Sequence, residues 1–413
     1  MLPSHLQAKE PVAVVFVSSL TPPPPPKTTA LQNLVALPHR LFFFTGIVQG
    51  LLFILFLALH YAGILFLEVG IGVYHAYALC FIVFTQFFIG FLLTTFPRYL
   101  ARPQTPKSIY IPIAWFINGG AIALILFSLL MPHAIFIPML FIFIGYLKFC
   151  FLLLQYQRQS TVSNKRDTAW MLYAFAFGAL GHILFILDTY FLSLYTLAVG
   201  ITFYMYLFLL VITVSQKMIP FFTANRIQGY TITKSSFFLP LLACALVVKV
   251  VLDALHIPAL IAHGALLFIV TYELWRWRLP FTKSPPILWV LFLALWWAPI
   301  GFGLFVLSDV LGLLGYSVYF EKAPLHAIAL GYFTTILIGF GTRIILGHAG
   351  RTPNADGYAT ALFVFIQAMV LMRLLAGFLG GVGYLHLILT SAGLWMVVFA
   401  LWSKRYIHML FEK

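Results

Sequence analysis

Apolar runs dominate this chain. Between Leu41 and Trp402, twelve mostly apolar stretches, separated by short polar gaps, cover residues 41–67, 74–96, 110–130, 134–154, 169–190, 192–214, 237–254, 257–275, 287–308, 325–346, 359–378 and 383–402. An α-helix needs about 20 residues to cross the hydrocarbon core of a bilayer. The runs are continuous rather than alternating with period two, so they predict helices and not barrel strands. The seventh and eighth, 237–254 and 257–275, are the shortest. The pattern predicts an all-α polytopic membrane protein of twelve transmembrane helices.

The gaps carry a second pattern. Twenty of the 24 Lys and Arg residues fall in alternate segments, from Lys9, Lys27 and Arg40 at one end to Lys404, Arg405 and Lys413 at the other. Only Lys322 lies in the opposite set of loops, and Lys148, Lys249 and Arg373 lie inside spans. The positive-inside bias therefore puts both termini in the cytoplasm. The net charge of +14 is spread over seven segments and forms no single patch, which excludes a nucleic-acid interface. Composition agrees: at 62% hydrophobic and 8% charged residues, with mean hydropathy +1.02, the chain calls for lipid as its partner. Residues 1–40 read as a cytoplasmic tail, in which Pro22 to Pro26 favour an extended polyproline segment. Residues 41–403 form the membrane domain and 404–413 a second cytoplasmic tail. Cys80, Cys150 and Cys244 each sit in a different span, so no disulfide framework is readable and packing is their expected role.

A faint repeat runs through the spans. The second begins His75-Ala76-Tyr77-Ala78-Leu79 and the tenth His326-Ala327-Ile328-Ala329-Leu330. Ile89-Gly90-Phe91 and Ile338-Gly339-Phe340 follow at matching places, and the sixth span occupies the middle position. The period is about 125 residues, four helices, which suggests three four-helix units.

Imidazole inside a membrane is costly to leave unsatisfied and is a common ligand for haem iron or copper. Taken singly, a histidine at an outer helix end reads as a neutral interfacial residue. His75 and His326 differ, because they occupy matching places and equal depth on helices that a threefold arrangement brings face to face. That placement suits the two axial imidazoles of a haem. His182, near the middle of span five, is the third candidate metal ligand. Arg373, inside span eleven, suits a haem propionate, since guanidinium binds carboxylate bidentately. Lys249 and Asp253, spaced i,i+4, read as an ion pair along one helix with the lysine snorkelling. Asp188 and Asp309 read as solvated groups at outer helix ends. Arg343, His348 and Arg351 read as an inner-face anchor. Trp296-Trp297 followed by Pro299 is expected to kink span nine.

The same residues resemble a known family. His75 to Arg102, with Gly90-Phe91-Leu92-Leu93-Thr94 and Pro97, is similar to the second helix of the NnrS family. Ile219-Pro220-Phe221-Phe222-Thr223 with Asn225 resembles its central loop motif. Leu288-Trp289 through Trp297-Ala298-Pro299 resembles its ninth helix, and Leu325-His326-Ala327 through Thr342-Arg343 to Gly347-His348-Ala349-Gly350-Arg351 its tenth. The resemblance implies a twelve-span bacterial inner-membrane protein that binds haem and copper and acts in nitric oxide metabolism or nitrosative stress tolerance. It adds His348 to His75, His182 and His326 as metal positions. The chain departs from the family at Tyr77-Ala78, where a second His and a Glu are usual, and at Phe292, where helix nine usually carries a His. Two other readings stand beside this one: a permease for a small solute or metal complex, and a non-catalytic paralogue with lost metal ligands.

Overall fold

The computed structural model describes residues 29–190, 193–316, 320, 322–379 and 381–412. Residues 1–28, which hold the polyproline run, lie outside them. The described residues contain no strand. Twelve long helices follow in order: α1 (Pro38–Tyr61), α2 (Ile71–Tyr99), α3 (Lys107–Leu130), α4 (Pro132–Gln159), α5 (Arg166–Asp188), α6 (Tyr195–Ala224), α7 (Phe238–Ala254), α8 (Leu260–Arg276), α9 (Pro286–Leu313), α10 (Ala323–His348), α11 (Gly357–Leu379) and α12 (Tyr384–Leu410). Ten are long and apolar enough to cross a membrane. The other two, α7 and α8, have 17 residues each. These are the two stretches that read as shortest in the sequence.

Burial separates the helices into a core and a coat. In the apolar windows of α2, α6 and α10, 83%, 83% and 72% of residues are buried, against 33% to 56% in the other seven spans. The coat helices turn Ile122, Phe151, Phe268 and Leu371 outward, each more than half exposed, which is the surface lipid would cover. The chain closes on itself, since α12 packs on α1. Asn33 Nδ2 donates to the Phe411 carbonyl at 3.0 Å, Arg40 donates to the Glu412 carbonyl, and Arg351 forks onto the Glu412 carboxylate at 3.1 and 3.2 Å. Residues 404–410 therefore continue α12 rather than leaving it as a free tail.

The three core helices share a further feature. Each contains a wide π-helical stretch, at Ala78–Phe84 in α2, Ile201–Phe208 in α6 and Ala327–Thr334 in α10. Such turns are rare and gather at functional sites. Thr85 and Thr334 donate to the carbonyls five residues back, of Cys80 at 2.7 Å and Ala329 at 3.2 Å. That is the carbonyl a π turn brings within reach. α9 continues through Pro299. Its Trp297 indole donates to Gln367 Oε1 of α11 at 2.7 Å and lies flat against the bare backbone of Gly331 in α10.

Buried charge is paired, as a bilayer demands. Lys249 donates to Asp253 at 2.6 Å, but its ammonium does not snorkel. The side chain is 1% exposed and lies 4.3 Å from the Tyr204 ring and 4.4 Å from the Phe305 ring. Phe305 also stacks with His263, whose Nδ1 is 2.6 Å from Asp309. Asp309 is thus a partner of a buried imidazole and not simply a solvated group. Asp188 is buried too, and accepts the Leu194 amide at 3.0 Å. The three cysteines are free; Cys80 is buried, and Cys244 is exposed on the coat.

Two outcomes follow. A Cβ at Gly331 would stand 2.3 Å from Trp297, so Gly331→Val should lower stability by about 1–3 kcal/mol, read as a lower thermal midpoint in detergent. Asp253→Ala should destabilise by about 3 kcal/mol, because it strands a buried ammonium, whereas Lys249→Met combined with Asp253→Ala should recover most of that loss.

Candidate functional site

The start of α2 and the start of α10 meet across the bundle. His75 and His326 both lie in the first turns of their helices, and their rings stand 6.2 Å apart between centres with an interplanar angle of 16°. The short α-helical openings, Ile71–Tyr77 and Ala323–His326, deliver both rings before the π stretches begin. His326 Nδ1 lies 2.8 Å from the Lys322 carbonyl. A carbonyl only accepts, so Nδ1 carries the proton and Nε2 keeps its lone pair, the usual arrangement of a metal-ligating histidine. His75 Nδ1 is buried with no hydrogen-bond partner. Arg373, from α11, is 8% exposed, and its charge acts on both imidazoles. Two near-parallel rings, with the charge of Arg373 acting on both, bring three helices to one place.

The spacing tests what fits there. A metal held between two opposed imidazoles needs two bonds of about 2 Å and about 1 Å from each nitrogen to its ring centre, about 6 Å in all. The observed centre-to-centre distance of 6.2 Å, between rings stacked near parallel, equals that length.

His182 and His348 lie elsewhere. His182 is fully buried in α5, with its ring 3.6 Å from Phe81, 4.9 Å from Tyr146 and 5.2 Å from Phe143 between centres. The Tyr77 hydroxyl meets its Nδ1 at 3.2 Å, and its Nε2 has no hydrogen-bond partner. His348 ends α10, 22 residues after His326 and so about 33 Å further along the axis at 1.5 Å per residue. Its Nδ1 reaches the Ile344 carbonyl at 3.0 Å. The four histidines named from the sequence therefore occupy three places, and only His75 and His326 share one.

A partner for His348 escaped the sequence reading. His39, placed there in the cytoplasmic tail, is 1% exposed and its ring centre is 4.3 Å from that of His348. Pro38 starts α1 earlier than the apolar run suggests, which draws His39 into the bundle; a proline followed by a polar pair at the head of an apolar run was the available signal. At 4.3 Å these rings stand too close to hold an ion between opposed nitrogens. The charges of Arg40 and Arg98 also act on His39, which disfavours a cation. Among the described residues no three His, Cys, Asp or Glu side chains gather as a metal would require. At the two departures from the family pattern, Tyr77 is hydrogen-bonded to His182 and Phe292 is fully buried with its ring edge-on to Phe281.

No curated protein matches the chain. The sequence profile of the NnrS protein family matches residues 33–413, nearly all of it. That match takes in all twelve helices and both halves of the His75–His326 pair: the chain belongs to the NnrS family.

Proposed function

We propose that this membrane protein binds haem between His75 and His326 and serves the nitric oxide response that its family membership suggests. The observation that carries the reading is the ring geometry: two imidazoles, 6.2 Å apart and 16° from parallel, presented by two of the three core helices. Arg373 would hold a propionate by charge-assisted hydrogen bonds. When bound, the haem would supply an iron that takes up nitric oxide once one imidazole yields its place. The chain's own share is to hold His326 in one tautomer through the Lys322 carbonyl and to surround the pair with protein. Sensing, scavenging and reduction all fit that arrangement. Copper has a weaker foothold, since His182 is enclosed by aromatic rings and His348 faces His39.

The same proposal includes topology: twelve crossings in three four-helix units, in a bacterial inner membrane, with both termini cytoplasmic. The π stretches starting at Ala78, Ile201 and Ala327 recur about once per four helices. The 17-residue α7 and α8 would each reach about 25 Å, enough for a thinned or locally wet bilayer. They form an adjacent pair, so both termini share a side whether ten helices cross or twelve.

The purified full chain should show a strong Soret band. His75→Ala and His326→Ala should each abolish or shift it, and Arg373→Leu should weaken haem retention by about tenfold or more. His182→Phe should leave the band in place. A folded, colourless wild-type protein, or a band indifferent to both His75 and His326, would sink the haem reading. Topology has its own test. A fluorescent protein fused after Lys413 should glow and a phosphatase fused there should be inactive; the reverse would put the termini outside.

A further inference from the structure

A cavity of about 40 Å³ lies inside the bundle, between the core helices and α1. α2 lines it with Phe84 and Phe91, α6 with Val211 and Val214, and α10 with Phe333 and Phe340. Each of these is at most 9% exposed, while Phe88, Leu337 and Ile344 on its border are half-buried, so the space is sunk among the core helices and opens on one side. Phe84 and Phe333 meet edge to face at 5.9 Å where the π stretches end. Phe91 and Phe340 stack at 6.4 Å and 2° on the inner side. The two ring pairs sit seven residues apart on each helix, about 10 Å, and bound the cavity at its ends. His75 lies nine residues before Phe84 and His326 seven before Phe333, so the cavity and the imidazole pair lie along the same two helices.

We infer that this cavity is a holding site for one small apolar gas molecule. About 10–15 Å³ of such volume admits one water-sized sphere, so the space takes about three or four, enough for a diatomic and too little for a sugar, an amino acid or a porphyrin. Every side chain around it is apolar. A water needs two to four polar partners to stay in a buried site and finds none here, whereas a neutral diatomic loses almost nothing on leaving water. Aromatic walls give it dispersion contacts on all sides. That nitric oxide is the natural occupant rests on the proposed function; the gas site itself does not.

Xenon is the probe, because it reports apolar gas sites without haem or chemistry. Crystals of the full chain pressurised with xenon should give an anomalous peak between Phe84, Phe91, Phe333 and Phe340. Ile336→Phe, which adds a ring to the lining, should remove the peak. Phe340→Ala, which enlarges the space, should keep it and add occupancy. Should Ile336→Phe not fold, Val214→Phe fills the same space from α6. Ordered water or a lipid acyl chain in the cavity, or a xenon peak that survives both filling variants, would overturn the inference. Protein lacking a Soret band but holding xenon here would end the haem reading and leave this site standing.

Discussion

A helix enclosed by other helices cannot turn a polar group toward water or lipid, and that constraint shapes α2, α6 and α10. Many of their hydroxyls and amides find partners inside the bundle, where an unpaired group costs several kcal/mol, and the few that do not, among them His75 Nδ1 and Gln86 Nε2 of α2, stand out. Thr85 meets the Tyr206 hydroxyl at 2.6 Å, and Tyr332 donates to Ser215 at 3.0 Å. These bonds link core helix to core helix and tie the three together where apolar packing alone gives no direction. The coat is freer. Its helices need only an apolar outer face and small residues where they cross, as where Gly120 of α3 lies against the backbone of Pro138 and Ile142 in α4.

The same constraint explains the charges. Lys249 stays in place because two aromatic faces and a carboxylate replace the water it gives up. Phe305 is shared: a cation lies over one side of the ring and the His263 imidazole, tethered by Asp309, stacks at 4.7 Å. One aromatic residue thereby couples α7, α8 and α9.

How much of this was readable from the chain follows from the range of each interaction. The spans were legible because apolar runs are local, and even the weakness of α7 and α8 showed as shortness. The second and tenth spans share a His-Ala head in the sequence, and both heads lie just before a π stretch. The π stretches were not legible, because nothing in Ala78–Phe84 or Ala327–Thr334 departs from ordinary helix formers; hydroxyl bonds and packing select the wider turn. His39 facing His348, and Asp309 facing His263, were also out of reach. These contacts join residues 309 and 46 positions apart, and no periodicity connects them.

The two imidazole pairs show why residue type alone does not define a site. Both join α10 to an earlier helix, and both put two rings near a helix end. At the His75–His326 end, His326 is fixed by a carbonyl on Nδ1, the ring centres stand 6.2 Å apart, and Arg373 supplies positive charge. That charge suits a ligand carrying its own carboxylates around a metal centre. At the His39–His348 end the rings are 4.3 Å apart and tilted by 42°, in a field set by both Arg40 and Arg98. The His39 ring lies edge-on to Phe43, and its backbone passes close to Gly90. A cation entering between those rings would have to part them by about 2 Å and face two guanidiniums. Separation and surrounding charge, more than the presence of histidine, set the His75–His326 pair apart from the His39–His348 pair.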